Sequence, residues 1–244
     1  MSHSKIIICI PARYGSTRFP GKALADLKGK PVVQWTYEKA CLSIADEVII
    51  ATDNDEIYNT AQSFGAKCAM TSEDHPSGSD RIWEAVQNIP CDIIINVQGD
   101  EPLIDVDIIN KLIDLLRSNE KVEMGTVVVK TGRDIIGQDT NVVKAVLSKD
   151  NSVLYFSRSE IPFVRDEDDN SPLYKHLGIY GYRKHILKKI ISLPQSYLEK
   201  TEKLEQLRAL ENNIKIYAIV ADKDSGIGID TPEDLKKAEK LITV

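Results

Sequence analysis

Two short apolar runs restrict the fold of this chain more than any other feature of its sequence. Residues 6–10 read IIICI, and the run at 93–98 opens with III; neither run alternates apolar and polar positions. A strand without alternation has both faces covered, as in a parallel sheet that lies between layers of helices. The two runs therefore predict buried parallel strands in an α/β domain.

Further β-branched runs and helical patterns alternate along the rest of the chain. Strands are predicted at 48–51, 124–129, 142–147, 179–182 and 214–220, and helices at 31–42, 55–64, 77–88 and 105–119. A final helix is predicted after residue 230, because Thr231 can cap it and Pro232 suits its first turn. This alternation is typical of an α/β fold with a mostly parallel sheet, whose ligands lie at the carboxyl ends of the strands.

The chain length of 244 residues suits one large domain or two small ones. No internal repeat or low-complexity segment divides the sequence, so we predict a single domain spanning residues 1–244. The stretch RDEDDNSP at 165–172 is acidic and polar, and it is predicted to be an exposed loop. It marks a candidate for a small subdomain inserted at about 150–182.

Charge and hydropathy exclude several classes of partner. The formal net charge is −6, from 31 Lys and Arg against 37 Asp and Glu, so a general nucleic-acid surface is not expected. No apolar stretch approaches the roughly 18 residues of a membrane-spanning helix. No signal peptide precedes Lys5. We therefore expect no membrane insertion and a cytoplasmic location.

One local basic segment contrasts with this acidic background. Residues 10–22, IPARYGSTRFPGK, follow directly on the first predicted strand and contain Arg13, Arg18 and Lys22. Cationic side chains beside glycine backbone amides suit a polyphosphate. The alternative is a solvated basic surface loop. Because a buried strand leads straight into the segment, we interpret it as an anion site.

The segment matches neither of the common phosphate-binding motifs. Five residues separate Gly15 from Gly21, where a P-loop has four, and Lys22 is followed by Ala23 instead of a metal-binding hydroxyl. The pattern G-x-G-x-x-G is absent after the first strand as well. The sequence therefore gives no support to a P-loop enzyme or a Rossmann dehydrogenase.

Two acidic residues lie where a metal site facing such a loop would form. Asp100 follows the predicted strand at 93–98, with Gly99 allowing a close turn, and Asp230 lies where an apolar segment meets the last helix. Mg²⁺ takes oxygen ligands and joins protein carboxylates to phosphates. The plainer alternatives are a solvated turn at Asp100 and helix capping at Asp230. Asp234 is interpreted as a partner of its own helix dipole.

Seven segments of the chain form an ordered set that spans nearly its whole length. They are IPARYGSTRFPGK at 10–22, HPSGSDR at 75–81, NVQGDEP at 96–102, YFSR at 155–158, HLGIYGYR at 176–183, LEQLRALE at 204–211 and GIDTPEDL at 228–235. Together they resemble the 3-deoxy-manno-octulosonate cytidylyltransferase family, also called CMP-Kdo synthetases. Seven matches in the same order leave little room for coincidence.

The resemblance implies both a fold and a reaction. The fold would be a Rossmann-like nucleotidyltransferase, with a mostly parallel central sheet flanked by helices and a small inserted dimerisation subdomain at about 150–182. The substrates would be CTP and 3-deoxy-D-manno-octulosonate (Kdo), and the products CMP-Kdo, for lipopolysaccharide biosynthesis, and pyrophosphate. The resemblance further implies Mg²⁺ as the cofactor and a homodimer as the assembly.

The resemblance also implies roles for individual residues. Lys22, Arg13 and Asp100 are expected to act in catalysis, and Asp100 and Asp230 to bind the metal. The residues expected to bind the nucleotide are Pro11, Ala12, Arg13, Gly15, Ser16, Arg18, Lys22, Ser77, Gly78, Arg81 and Gln98. The residues expected to bind the sugar are Gln98, Arg158, His176, Tyr180, Glu205 and Gln206.

Several of these residues have plainer interpretations from the sequence alone. A lone histidine such as His176 is more often structural than a ligand contact. Residues 199–213 also read as one amphipathic helix, whose leucines recur at a spacing of three and leave Gln206 off the buried stripe. An acid sugar nevertheless needs a cationic partner together with mixed donors and acceptors, which this set of side chains supplies.

Two alternative functions stay open at this point. A related acid sugar, such as 8-amino-Kdo, would change only a few contacts at one end of the sugar; a sialic-acid-type donor is less well matched, because the opening loop differs. From another class, the chain could be a nucleotide-binding module without turnover. The presence of Lys22, Asp100 and Asp230 together argues against such a module, because a binder does not need both acids.

Overall fold

The computed structural model describes residues 4–16, 18–166, 171–224 and 228–242. The strands are β1 (Ile6–Ala12), β2 (Asp26–Leu27), β3 (Lys30–Pro31), β4 (Glu47–Thr52), β5 (Lys67–Met70), β6 (Ile93–Asn96), β7 (Met124–Thr131), β8 (Lys144–Leu147), β9 (Val153–Ser157), β10 (Leu173–Arg183) and β11 (Ile216–Ala221). The helices are α1 (Val32–Cys41), α2 (Asp55–Ser63), α3 (Gly78–Val86), α4 (Val106–Ser118), α5 (Arg133–Ile136), α6 (Lys184–Ser192), α7 (Tyr197–Glu202), α8 (Leu207–Glu211) and α9 (Pro232–Leu241).

The chain divides into two compact units. The first unit comprises residues 1–113 and 225–244, and the second comprises residues 114–224. The organisation predicted from the sequence, a single domain with a segment inserted at about 150–182, stays a prediction. Within the acidic stretch at 165–172, residues 167–170 lie outside the described residues, and the described ones are exposed, as predicted.

The first unit contains four parallel strands in the order β6-β1-β4-β5. Strand β1 lies between β4 and β6, and its residues are buried except for the partly exposed Pro11. Helices α1, α2 and α3 pack against these strands, which explains why β1 and β6 lack polar alternation. Because the strands are parallel, the segments that follow β1, β4, β5 and β6 all begin at one edge of the sheet.

The second unit combines parallel and antiparallel pairs. Strand β7 pairs with β11 in parallel and with β10 in antiparallel fashion. Strand β8 is antiparallel to both β10 and β9. The α/β fold with a mostly parallel sheet flanked by helices is thus confirmed, with the antiparallel pairs β7–β10, β8–β10 and β8–β9 in the second unit.

Most predicted helix starts are confirmed by their caps. The Ser77 hydroxyl accepts from the Asp80 N–H at the start of α3. Thr231 and Asp234 form a reciprocal capping box at the start of α9, with Pro232 in the first turn. Asp234 therefore serves its own helix, as predicted.

The prediction of one amphipathic helix over 199–213 is wrong. Helix α7 ends at Glu202, because Lys203 adopts a left-handed conformation with φ of 55°, and α8 begins at Leu207. Gln206, predicted to lie off the buried stripe, is itself buried. The break places residues 203–206 in a turn, so their side chains leave the helical periodicity on which the prediction depended.

No helix within the described ranges has the length and apolar character needed to cross a membrane.

Candidate active site

The loop that leaves β1 is closed by its own backbone. The carbonyl of Tyr14 accepts hydrogen bonds from the N–H groups of Ser16 and Gly21, both at 3.0 Å. Gly21 has a φ of +69°, a region that favours glycine. Lys22 follows at once in a single 3-10 turn, Lys22–Leu24. The closed loop therefore fixes the backbone from which Lys22 extends.

Lys22, Asp100 and Asp230 meet at one point of the first unit. The Lys22 ammonium donates to Asp100 Oδ2, and at 2.8 Å to Asp230 Oδ1. The Arg18 guanidinium also donates to Asp230, with Nη2 at 2.8 Å from Oδ2. Residues that are 78 and 208 positions from Lys22 in the sequence are thus brought to a single nitrogen.

The position of Asp230 is fixed by a backbone hydrogen bond and by a buried apolar side chain, both of the preceding residue, Ile229. The N–H of Ile229 donates to the carbonyl of Asp100 at 2.8 Å, so the segment before α9 is tied to the segment after β6. Ile229 is fully buried in a cluster that holds α9 in place. Its buried members are Leu27, Val32, Ile229, Ala238 and Ile242.

The charges of this group explain the protonation state of Lys22. Burial alone lowers the pKa of the Lys22 ammonium, but the charges and hydrogen bonds of Asp100 and Asp230 outweigh burial and raise the pKa above its ordinary value. Lys22 is therefore cationic at neutral pH. Asp100 and Asp230 both bind this cation, and Asp230 also pairs with the more exposed Arg18.

The same donor set fits a magnesium ion that shares its coordination with a phosphate. Two carboxylates converge on one cation, and Mg²⁺ commonly takes one or two carboxylates while phosphates and water supply its other ligands. Among the residues that the structure describes, no group of three or more His, Cys, Asp or Glu could form an all-protein metal site. Asp100 and Asp230 are therefore the residues of this group that could hold a metal ion together with ligands from outside the protein.

The other nucleotide candidates of the first loop surround the end of β1. Pro11 and Ala12 are the last residues of the strand, and Arg13 and Gly15 are exposed beyond it. Ser16 is half-buried, and its hydroxyl accepts from the Phe19 N–H at 3.4 Å. Arg13 makes no hydrogen bond or ion pair with any part of the chain that the structure describes. Its charge is therefore available to an anion at this edge.

A second group of nucleotide candidates lies at the start of α3. Ser77 caps the helix, and Gly78 has Pro11 as its nearest neighbour, at 3.8 Å from a hypothetical Cβ. Arg81 is buried, and its guanidinium donates at 2.5 Å to both Asp53 and Thr71. The nucleotide-binding role that the resemblance implies for Arg81 stays a prediction; in the structure, its guanidinium joins the loops that follow β4 and β5.

Gln98 lies between β6 and Asp100. The strand ends at Asn96, two residues earlier than predicted, so Asp100 comes four residues after the strand instead of two. The Gln98 side-chain amide donates to Asn96 Oδ1 at 3.1 Å. Gln98 is half-buried at the same edge as Asp100, in agreement with a position in the site.

Gly99 is needed for the close approach of this segment to β1. A Cβ at residue 99 would lie 2.9 Å from the carbonyl oxygen of Pro11, which is backbone and cannot rotate away. We expect Gly99→Ala to lower the free energy of unfolding by about 1–3 kcal/mol, as overpacking does. Urea denaturation measures the change. Gly15→Ala is the matched control, because no atom lies within 4 Å of a Cβ there; equal losses in both variants would contradict the assignment.

The second unit contains all the residues predicted to bind the sugar except Gln98, which lies in the first unit. His176 lies on β10, where its ring packs edge-on against Phe156, with centroids 4.8 Å apart, and lies 5.4 Å from the Tyr180 ring. The Thr126 hydroxyl donates to the carbonyl of Ile179 at 2.9 Å, so it accepts from His176 Nε2 at 2.9 Å. This bonding fixes the tautomer and leaves Nδ1 as an acceptor.

Burial keeps both of these rings neutral. It lowers the pKa of His176 to about 3. Burial, with smaller effects of Tyr182 and Glu205, raises the pKa of Tyr180 well above its ordinary value. The cluster therefore offers neutral donors and acceptors, which suit hydroxyl groups.

The buried His176 should make stability depend on pH. Between about pH 3 and 6.5 the unfolded chain binds a proton on this residue and the folded chain does not, so stability falls as the pH falls. We expect His176→Asn to reduce the slope of unfolding free energy against pH by up to about 1.4 kcal/mol per pH unit between pH 4.5 and 6. Urea denaturation at several pH values measures it. The exposed His185→Asn should leave the slope unchanged, and equal slopes in wild type and His176→Asn would refute the assignment.

Arg158 is held beside the turn that carries Glu205 and Gln206. Its Nε donates to the carbonyl of Glu202 at 2.9 Å, and its backbone N–H donates to the Glu202 carboxylate at 3.0 Å. Nη1 donates to the carbonyl of Thr140 at 3.1 Å. Nη2 donates to none of the residues that the structure describes, so it is available to a carboxylate. Arg158 is thus held beside the turn at 203–206, and His176 lies beside Tyr180.

Sequence reasoning missed three residues that support these groups. Asp53 directly follows β4, and its place at the carboxyl end of a strand was the signal that could have revealed it. Lys144 interrupts the apolar run at 142–147, which is a signal for a buried charge with a specific partner. Glu202 gave no signal, because nothing in a helical pattern shows that its carboxylate reaches β9.

Comparison with known proteins identifies the family of this chain. A family model described as cytidylyltransferase matches residues 7–216. A 3-deoxy-manno-octulosonate cytidylyltransferase from Thermodesulfovibrio yellowstonii is 51% identical, over 97% of this chain and 98% of the relative. An 8-amino-3,8-dideoxy-manno-octulosonate cytidylyltransferase from Shewanella frigidimarina is 46% identical, over 98% of this chain and 99% of the relative.

A solved structure is similar over the same length. It is a CMP:2-keto-3-deoxy-manno-octonic acid synthetase complexed with CTP, with a TM-score of 0.94 and 39% identity over 98% of each chain. The family model, the relatives and this structure agree with the family that the ordered motifs indicate. The chain belongs to the cytidylyltransferase family and, within it, to the 3-deoxy-manno-octulosonate cytidylyltransferases.

Proposed function

We propose that the protein activates Kdo with CTP, giving CMP-Kdo and pyrophosphate. The observation that carries the proposal is the meeting of Lys22, Asp100 and Asp230 at the carboxyl end of β1 and β6. A basic loop beside two carboxylates suits a metal-bound triphosphate. The relatives named for the same reaction support the choice of both substrates.

The reaction is a single displacement at phosphorus. The anomeric hydroxyl of the sugar forms a bond to the α-phosphorus of CTP, the bond from that phosphorus to the bridging oxygen breaks, and pyrophosphate leaves with the electron pair. The hydroxyl proton is released. Lys22 and Arg13 would neutralise charge on the triphosphate oxygens, and the fixed loop would hold them in place without further reorganisation. No covalent enzyme intermediate is required.

Mg²⁺ is the proposed cofactor, held by Asp100 and Asp230. When bound, it would neutralise phosphate charge and help to orient the reactants. The resting contacts of Lys22 with both acids support the proposal, because they show that the pair attracts a cation. The same proposal includes nucleotide binding by the other residues that the resemblance implies, namely Pro11, Ala12, Gly15, Ser16, Arg18, Ser77, Gly78, Arg81 and Gln98.

The sugar is proposed to bind through the residues gathered in the second unit. Arg158 would meet its carboxylate through the available Nη2, and the buried amide of Gln206 with Glu205 would meet hydroxyl groups. His176 and Tyr180 supply neutral polar atoms beside them.

One relative supports 8-amino-Kdo as an alternative sugar substrate. The Shewanella frigidimarina protein is named for 8-amino-3,8-dideoxy-manno-octulosonate. Pyrophosphate release with CTP and Mg²⁺, measured side by side for Kdo and 8-amino-Kdo, separates the two. We expect the larger kcat/KM with Kdo, and a preference for the amino sugar would replace it as the substrate. The absence of pyrophosphate with either sugar would favour a nucleotide-binding module.

The cellular part of the proposal is a homodimer in the cytoplasm that supplies CMP-Kdo for lipopolysaccharide biosynthesis. The segment at about 150–182 is the proposed contact, and two of its apolar side chains, Leu154 and Phe163, are 61% and 87% exposed. Light scattering of the purified protein tests the assembly. A monomer at micromolar concentration would contradict it.

A further inference from the structure

Lys144 is a buried cation whose three hydrogen bonds all go to backbone carbonyls. It lies on β8 with none of its surface exposed. Its ammonium donates to Asp139 at 2.7 Å, to Val142 at 2.9 Å and to Arg158 at 2.6 Å. An ammonium has three N–H donors, and all of them are used. Lys144 thus ties the turn at 139–142 to the end of β9.

Arg158 contacts the same turn from its own side chain. Its Nη1 donates to the carbonyl of Thr140, and its Nε donates to the carbonyl of Glu202. The turn at 139–142 is therefore held at Asp139 and Val142 by Lys144 and at Thr140 by Arg158. A shift of the turn would remove one of the two side-chain hydrogen bonds that orient the Arg158 guanidinium.

Burying the Lys144 ammonium beside the Arg158 guanidinium costs free energy, so its presence indicates a specific role. Burial lowers the pKa of Lys144; the charges of Asp139 and Glu160 oppose this effect, and the charge of Arg158 adds to it. An apolar side chain at this position of β8 would avoid the desolvation of an ammonium. An apolar side chain could not, however, donate hydrogen bonds to the Arg158 carbonyl and to the turn at 139–142.

We propose that Lys144 is a positioning residue, which holds Arg158 and the turn at 139–142 in the arrangement that presents Arg158 Nη2 to the carboxylate of the acid sugar. This inference rests on the proposed function, because it uses Arg158 as the partner of the sugar. Lys144 itself does not touch the sugar. A displacement of about 1 Å in such a group can cost as much as 100-fold in a rate, so its support matters to function.

The test compares Lys144→Met with a matched variant in the same unit. Arg183 also donates to three backbone carbonyls, those of Val122, Leu116 and Asn119, but it has no contact with Arg158. We expect Lys144→Met to raise the KM for Kdo about tenfold while the KM for CTP stays within twofold. Arg183→Met should leave both constants within twofold. A rise in the KM for Kdo that is equal in the two variants would overturn the inference.

An exposed variant keeps the test decisive if Lys144→Met does not fold. The Asp139 carboxylate accepts from the backbone and side chain of Asn141, so Asp139→Ala loosens the turn from outside the core. We expect it to raise the KM for Kdo about threefold and to leave the KM for CTP unchanged. In an Arg158→Met background neither Lys144→Met nor Asp139→Ala should raise the KM for Kdo further. The proposal would be contradicted if the effects on the KM for Kdo were fully additive with Arg158→Met. It would also be contradicted if Asp139→Ala left the KM for Kdo unchanged.

Two separate measurements test the proposed function and the role of Lys144. If the wild type does not release pyrophosphate with Kdo, the proposed function fails. Amide hydrogen exchange then still decides the inference, because it needs no sugar. We expect Lys144→Met, but not Arg183→Met, to speed exchange in the 139–142 turn and at Arg158. Unchanged exchange in Lys144→Met would show that Lys144 does not hold these groups.

Discussion

Replacing Lys22 by methionine should lower kcat about 100- to 1,000-fold and change the KM for Kdo by less than threefold. The cationic ammonium lies on two carboxylates at the end of a closed loop, where it can neutralise charge on a triphosphate as the bond to the leaving group breaks. Losing one pre-positioned donor of this kind commonly costs two to three orders of magnitude in rate. Steady-state kinetics with both substrates varied measures the effect.

Lys30→Met is the matched control for this variant. Lys30 lies near the same loop, but it pairs with Glu38 at 2.7 Å and covers the Trp35 ring at 4.8 Å. The Lys30→Met enzyme should have a kcat within twofold of the wild-type value. Full turnover in Lys22→Met would contradict the role assigned to Lys22, and an equal loss in Lys30→Met would show that general charge around the loop causes the effect.

Asp100→Asn should be the other most damaging substitution, with turnover lowered about 1,000-fold at saturating CTP and Kdo. A bound metal commonly contributes several kcal/mol of charge stabilisation, and each factor of ten in rate corresponds to about 1.4 kcal/mol. The variant keeps the shape of the side chain but loses its charge. Mn²⁺ binding in the presence of CTP, followed by electron paramagnetic resonance, should weaken at least tenfold in parallel.

Asp234→Asn separates the metal role from a general effect of acidic residues near α9. Asp234 accepts from the Thr231 N–H at 3.2 Å in the capping box at the start of α9. It should keep nearly full turnover and lose about 1 kcal/mol of unfolding free energy at most. If Asp100→Asn kept both Mn²⁺ affinity and turnover, the metal would have to bind elsewhere.

The parts of the fold that the sequence predicts best are those in which burial alone determines the pattern. Strands β1 and β6 are covered on both faces, so an unbroken apolar run identifies them. Strand β10 begins at Leu173, six residues before the predicted start at 179. The prediction missed its first half because side chains there, such as Lys175, are partly exposed and break the apolar pattern. Strand β5 has no fully buried residue, so its sequence KCAM gave no clear signal.

The candidate site could be predicted in its residue types but not in its contacts. The rule for carboxyl ends of parallel strands correctly brings Asp100 to the basic loop. Asp230 follows no strand, and its arrival depends on the backbone bond from Ile229 to Asp100 and on the burial of Ile229. Such packing between distant segments has no local signature. The same is true of Arg81, whose partners lie on two other loops.

Turnover of CTP with Kdo is tested most directly by ³¹P nuclear magnetic resonance of a reaction that contains the enzyme, CTP, Kdo and Mg²⁺. We expect the three CTP signals to disappear together and to be replaced by one phosphodiester signal of the CMP-sugar and by inorganic pyrophosphate in equal amount. We expect the Lys22→Met enzyme to produce these signals at least 100-fold more slowly. Unchanged CTP with every acid sugar supplied, under conditions in which CTP binds, would contradict the central claim.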